Sequence, residues 1–171
     1  LPAAGHDSLL AYDLDEKAFT WGFHLQKIAD KWSGFTFDPC RRSGPGRHNE
    51  HHINMVHVDS NGIFLSGLRT NALLHLTHDH EVQVVCSLPA GTHNARPYRD
   101  GVIFNDTASD HVRFVSRERG QRGFKIKQYE SGEIHFASID DSKIARQAFG
   151  RGLCVYEDRL LVGGSSPSTI S

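Results

Sequence analysis

Three stretches of the chain repeat one order: a short strand-like run, a tight polar turn, then a second and more apolar run. The first joins His52–Val58 to Ile63–Gly67 through Asp59–Gly62. The second joins His93–Tyr98 to Val102–Asp106 through Arg99–Gly101, and the third joins Arg151–Tyr156 to Arg159–Gly164 through Glu157–Asp158. Asn61-Gly62 and Asp100-Gly101 are strong hairpin signals because both residue types accept positive φ, and Glu157-Asp158 is a weaker version of the same turn. The first two stretches continue alike. Ala72–Leu76 precedes a polar turn and Val82–Cys86, and His111–Val115 precedes a longer turn and Phe124–Gln128. That pattern predicts four antiparallel strands per unit.

From Val58 to Tyr98 the repeat advances 40 positions, within the roughly 40–45 residues of a four-stranded propeller blade. The longer step from Tyr98 to Tyr156 implies an insertion near residues 130 to 148. At the N-terminal end, Ser8–Asp13 and Ala18–Phe23 flank the polar Leu14–Lys17 and read as the outer hairpin of a preceding, incomplete blade. The fold predicted is all-β: a partial β-propeller of about three to four four-stranded antiparallel blades, rather than a sandwich or barrel meander. Residues 1–171 read as a single, incomplete propeller domain, with 25–51 as an irregular inter-blade segment. Within that segment Gln26–Trp32 is expected to form a short helix, and Arg41–Arg47 a flexible, solvated basic loop. Propellers close with about four to eight blades. Three and a half predict either a longer parent protein or self-association that covers the open edges.

Composition narrows the partners. The formal charge is -1, from 19 basic and 20 acidic residues, so nothing electrostatic favours nucleic acid or an anionic membrane. No apolar run approaches the ~20 residues of a membrane helix. The first residue is Leu1 and no signal peptide is legible, so the N-terminus reads as processed or truncated. Cys40, Cys86 and Cys154 are odd in number and far apart. They outline no disulfide framework, and a cytoplasmic location is expected. Cys86 and Cys154 lie in apolar runs and read as small buried hydrophobes.

Histidine is the compositional oddity, with 12 in the chain. In a propeller the loop entering the innermost strand opens at one face of the disc. The repeat places His52, His93 and Arg151 at that lead-in in three successive blades, with Asn54, Asn94 and Arg96 beside them. Guanidinium offers a planar fork for carboxylate, sulfate or phosphate. Imidazole can donate, accept or exchange a proton near neutral pH. His52 and His93 could also share a divalent metal, although they lack local ligand spacing. The alternative is that these side chains hold loop backbone at blade junctions. His78 and His80 read as exposed turn residues, and Asp106 and Asp110 as turn caps. No Gly-x-Ser-x-Gly elbow, His-Glu-x-x-His pair, Walker or Rossmann fingerprint is present.

At these motifs the sequence resembles a family of uncharacterised bacterial proteins of propeller-like build. His52-Ile53-Asn54 matches its His-x-Asn, and Thr92-His93-Asn94-Ala95-Arg96 its Pro-His-x-x-Arg with Thr92 in the proline's place. Arg151-Gly152 with Val162-Gly163 matches its third motif. The likeness spans roughly residues 20 to 167. It implies the propeller and the same site residues, and, since family members extend further at the N-terminal side, additional blades; it implies no activity. Three functions fit. The first is a module binding a polar or anionic small molecule or saccharide at the channel mouth. The second is a metal- or histidine-dependent hydrolase or lyase using the same residues. The third is a scaffold for another protein.

Overall fold

The computed structural model describes residues 1–130, 147–157 and 159–164. The chain divides into two compact units, Leu1–Ala90 and Gly91–Ser171.

In the first unit, β1 (Pro2–Ala3), β2 (Ser8–Asp13), β3 (Ala18–Ile28) and β4 (Lys31–Phe37) form one antiparallel sheet in that order. A second sheet holds β5 (Ile53–Asp59), β6 (Gly62–Gly67), β7 (Ala72–Leu76) and β8 (Val82–Ser87), again in chain order. The sheets share one core, to which the first contributes Leu9, Phe23, Leu25 and Trp32 and the second Ile53, Leu65, Leu74 and Leu76. Alternation along each strand sends these side chains to one face, and their burial supplies the main driving force for the unit.

The second unit contains a sheet of β9 (His93–Tyr98), β10 (Gly101–Asp106), β11 (His111–Ser116) and β12 (Gly120–Lys125). Beside it lies the two-stranded β13 (Gly150–Tyr156) and β14 (Arg159–Gly164). Ile103, Val112 and Ile126 pack against Ala148, Leu153 and Val162. The chain is therefore all-β, a partial β-propeller built from successive up-and-down sheets. Among the described residues the only helical turns are short 3-10 turns at Ala4–His6 and Thr107–Ser109. No helix among the described residues is long and apolar enough to cross a membrane.

One corner recurs in all three four-stranded sheets. Asp7, Asn71 and Asp110 adopt left-handed φ values of 45, 50 and 58°. Their carbonyls accept the backbone N–H of Leu25, Leu88 and Ile126 at 2.9, 2.9 and 2.8 Å. Asp and Asn tolerate this region better than other non-glycine residues. The corner joins the second and third strands of the later two sheets. In the first sheet it lies between β1 and β2, so β2 and β3 are the outer hairpin of their blade and β4 is added outside it.

Three sequence expectations change. Gln26–Trp32 is no helix. β3 runs through Ile28 and turns back at Ala29 and Asp30, whose φ values of 46 and 65° give the twist that a two-residue hairpin needs. Lys27 then pairs with Trp32 and Gln26 with Ser33, and strand alternation is what delivers Trp32 to the core. The irregular stretch is consequently 38–52 rather than 25–51. Cys154 is exposed and Cys86 half-buried rather than both buried. Cys154 lies opposite Leu161, which is itself exposed, while their neighbours Leu153 and Val162 face the core. The insertion expected near residues 130 to 148 falls mostly, and Asp158 wholly, outside the described residues.

Candidate functional site

The first strands of three blades carry a bulge near their start, at Asn54 in β5, Asn94 in β9 and Arg151 in β13. A bulge leaves one residue out of the ladder and re-aims its side chain. Counted back from the last paired residue before each hairpin turn, His93 and Arg151 hold the same place, and the residue of the first unit in that place is Asn54. His52 lies two positions further out, before β5 begins, at φ 51°. The ladder thus corrects the repeat register, which sequence alone cannot fix across a bulge.

In the second unit the lead-ins of β9 and β13 lie side by side. The Asn94 amide donates to the Arg151 main-chain carbonyl. The Asn105 amide donates to the Gly152 carbonyl at 3.0 Å, and the Thr107 hydroxyl to the Gly150 carbonyl at 2.9 Å. Three side chains of one sheet therefore hold three consecutive carbonyls of the next. A Cβ at Gly150 would stand 2.7 Å from Ile126 Cδ1, so a side chain there would have to push the end of Ile126 aside.

His93 is buried, with Nδ1 3.0 Å from both the Gly91 carbonyl and Thr107 Oγ1. A carbonyl only accepts and the Thr107 proton is already donated to Gly150, so His93 Nδ1 carries the proton. In the neutral ring Nε2 then bears the lone pair. Arg151 is exposed, its guanidinium 5.2 Å from the centroid of the Phe149 ring. Phe149 in turn meets His93 edge-on at 6.1 Å. No described carboxylate forms an ion pair with Arg151. Arg96 is half-buried on β9, opposite Ile103. Asp106 is tied to Arg113 at 2.5 Å. Burial alone would raise its pKa, but hydrogen bonds from Ser109 and Arg113 and the Arg113 charge outweigh this and hold it below the ordinary value.

The lead-in of the first unit is organised differently. The fully buried Asp7 carboxylate accepts backbone N–H groups from Glu50 at 2.5 Å, His51 at 3.1 Å and His52 at 2.9 Å. Arg69 holds the same segment from the other side, donating to the Glu50 carbonyl at 2.7 Å and to the Asn49 carbonyl. His52 Nδ1 lies 3.0 Å from Asn49 Oδ1. The imidazoles cluster here: His24 and His48 meet edge-on at 5.9 Å, and His51 packs on Trp32 at 4.8 Å. Asp7 was not legible as a site residue. Its signal is an Asp or Asn immediately before an apolar strand, repeated at Asn71 and Asp110.

Burial lowers the pKa of both His24 and His51, against opposing contributions that include the Asp7 charge. A histidine whose folded pKa lies below its unfolded value binds fewer protons in the native state, so stability rises with pH through that window. The contribution is complete above the ordinary histidine value near 6.5 and disappears as pH falls through the folded value. The expected result is a thermal midpoint for the first unit that drops between pH 7 and 5, with a shallower drop in His51→Phe. Equal slopes for the two proteins count against His51 as a source.

Burial likewise raises the Cys86 thiol, which makes it a poor nucleophile. Among the described residues no three His, Cys, Asp or Glu side chains form a metal-holding group. His78 and His80 are exposed, and His80 stacks on Trp21 at 6.1 Å.

No family model matches the sequence, and neither does any curated protein. Among solved structures, the chain is similar to catalytically inactive virginiamycin B lyase from Staphylococcus aureus with quinupristin, with a TM-score of 0.46 and 9% identity. The alignment covers 100% of this chain and 57% of that one, so this chain spans a little over half the length of that protein.

Proposed function

We propose that this propeller segment binds a polar or anionic small molecule at the blade lead-ins of its second unit, through Arg151, His93, Asn94 and Arg96. The observation that carries this reading is the Asn94 donation to the Arg151 main chain. It draws two successive lead-ins together and leaves the Arg151 side chain exposed on an aromatic support. A guanidinium braced on a ring presents its donors in a fixed plane, which suits a carboxylate, sulfate or phosphate oxygen pair. The His93 ring, oriented by Thr107 and Gly91, adds an imidazole to the same lead-in. In the first unit, His52 and Asn54 serve the lead-in mainly as framework, because its backbone is bound inward by Asp7.

Calorimetric titration with sulfate, inorganic phosphate, citrate and a set of mono- and disaccharides tests the reading. Charge-assisted hydrogen bonds are each worth about 1.5–3 kcal/mol, so Arg151→Ala is expected to weaken the best anion by about tenfold to a hundredfold. Undiminished binding in Arg151→Ala, or binding of sugars alone with no dependence on Arg151, removes the proposal. Metal analysis of the same protein tests the hydrolase or lyase alternative. Stoichiometric divalent metal that disappears in His93→Ala and in His52→Ala would favour that alternative over simple binding.

A further inference from the structure

The β1–β4 sheet of the first unit carries a cavity of about 250 Å³ that plays no part in the lead-ins. Its apolar lining includes Leu10, Phe37 and Pro45, and its polar lining includes His6, Arg41 and Arg42. Leu10, Gly22 and Phe37 stand in one row across β2, β3 and β4. The Phe37 ring occupies the space above Gly22, where a Cβ would lie 2.5 Å from the ring. This row faces away from the shared core, to which the neighbours Leu9 and Phe23 belong.

The basic loop that the sequence marks as solvated closes over this row and is fastened at both ends. Asp38 holds its start, accepting the Cys40 N–H at 2.9 Å and the Arg41 Nε–H at 3.1 Å. Its end is tied to the first 3-10 turn, where His48 N–H donates to the Gly5 carbonyl at 3.0 Å and His6 Nδ1 lies 3.2 Å from the Gly46 carbonyl. Asp38 is spent on Arg41, and Arg42 forms no ion pair with any described carboxylate. The cavity thus combines an apolar floor with an uncompensated positive rim. A polar ion such as sulfate would leave the floor unused, and a neutral apolar molecule would leave Arg42 unused.

We propose that this cavity is a second binding site, distinct from the lead-ins, for a small organic oxyanion: a carboxylate or phosphate ester bearing one compact apolar group. The oxyanion pairs with Arg42 while the apolar group rests on Leu10 and Phe37. Small-molecule sites commonly have this form, a mostly apolar pocket with a few placed polar groups.

The test is titration of the whole chain with phenyl phosphate, with inorganic phosphate and phenol as the separated halves. Saturable binding is expected, with each half at least about tenfold weaker than the whole. Arg42→Ala, at an exposed position, is expected to weaken phenyl phosphate by about tenfold or more. Leu10→Trp, which fills the cavity, is expected to abolish binding, with an unchanged circular dichroism spectrum confirming the fold. Arg151→Ala should leave this affinity unaltered. The proposal is overturned by an absence of saturation up to about 10 mM, by an unchanged affinity in Arg42→Ala or in folded Leu10→Trp, or by loss confined to Arg151→Ala. That last result would place the anion at the lead-ins and leave the preceding reading intact.

Discussion

Asp7→Ala is expected to destabilise the Leu1–Ala90 unit by about 4 kcal/mol. Removing a buried acceptor leaves its donors unpaired at about 1–3 kcal/mol each, and three backbone N–H groups, those of Glu50, His51 and His52, depend on this carboxylate. Two of the three are only partly buried, so water recovers part of the loss and the sum lies nearer the lower end. Alanine must also hold the φ of 45°, a left-handed conformation that costs roughly 1–2 kcal/mol. Thermal unfolding followed by circular dichroism should show the midpoint lowered by roughly 15–30 °C. Hydrogen exchange should locate the effect, with the amides of residues 50–52 losing protection first. Asp7→Asn should fall between the two proteins. Asparagine occupies the equivalent corner at position 71 with the same backbone geometry, and it keeps one acceptor oxygen. A midpoint for Asp7→Ala within a degree or so of the parent would mean that the carboxylate does not hold the segment.

The second large effect concerns Phe23, which is fully buried between the two sheets of the first unit. Phe23→Ala should cost about 3–5 kcal/mol through lost burial and the cavity left behind. Its ring lies where a side chain at position 34 would otherwise be, since a Cβ on Gly34 would stand 2.3 Å from Phe23 Cζ. Gly34→Ala is therefore destabilising in its own right, and the two substitutions must couple. With the ring gone, the added methyl enters empty space, although its 2.4 Å approach to the His24 carbonyl persists. A double-mutant cycle by urea unfolding should give a loss smaller than the sum of the single losses, by more than the few tenths of a kcal/mol expected of independent sites. Simple additivity would show that Gly34 is not there to accommodate Phe23.

The hairpins at Asn61-Gly62 and Asp100-Gly101 were legible because turn chemistry is local: two residues and their allowed φ values specify the reversal. The 40-residue spacing was legible for a related reason, since each blade repeats the same local decisions. Gln26–Trp32 was misread because seven residues of mixed polarity carry little periodicity. There the outcome turned on Trp32 reaching a core assembled from strands of both sheets, among them β5, β6 and β7 downstream of it. The displacement of His52 from the register of His93 and Arg151 was hidden by the bulges, which insert a residue without any required change in composition.

The residue pattern alone determined that this chain forms short antiparallel strands in four-stranded repeats, because alternation and turn propensity act within a few residues of themselves. It also marked His93, Asn94 and Arg151 as neighbours in the repeat. Only tertiary structure decided which of them touch, which carbonyls Thr107 and Asn105 hold, and that Asp7 binds a segment more than 40 positions away. Hydrogen bonds and clashes between distant residues depend on distances set after the sheets pack, and no local preference encodes those distances.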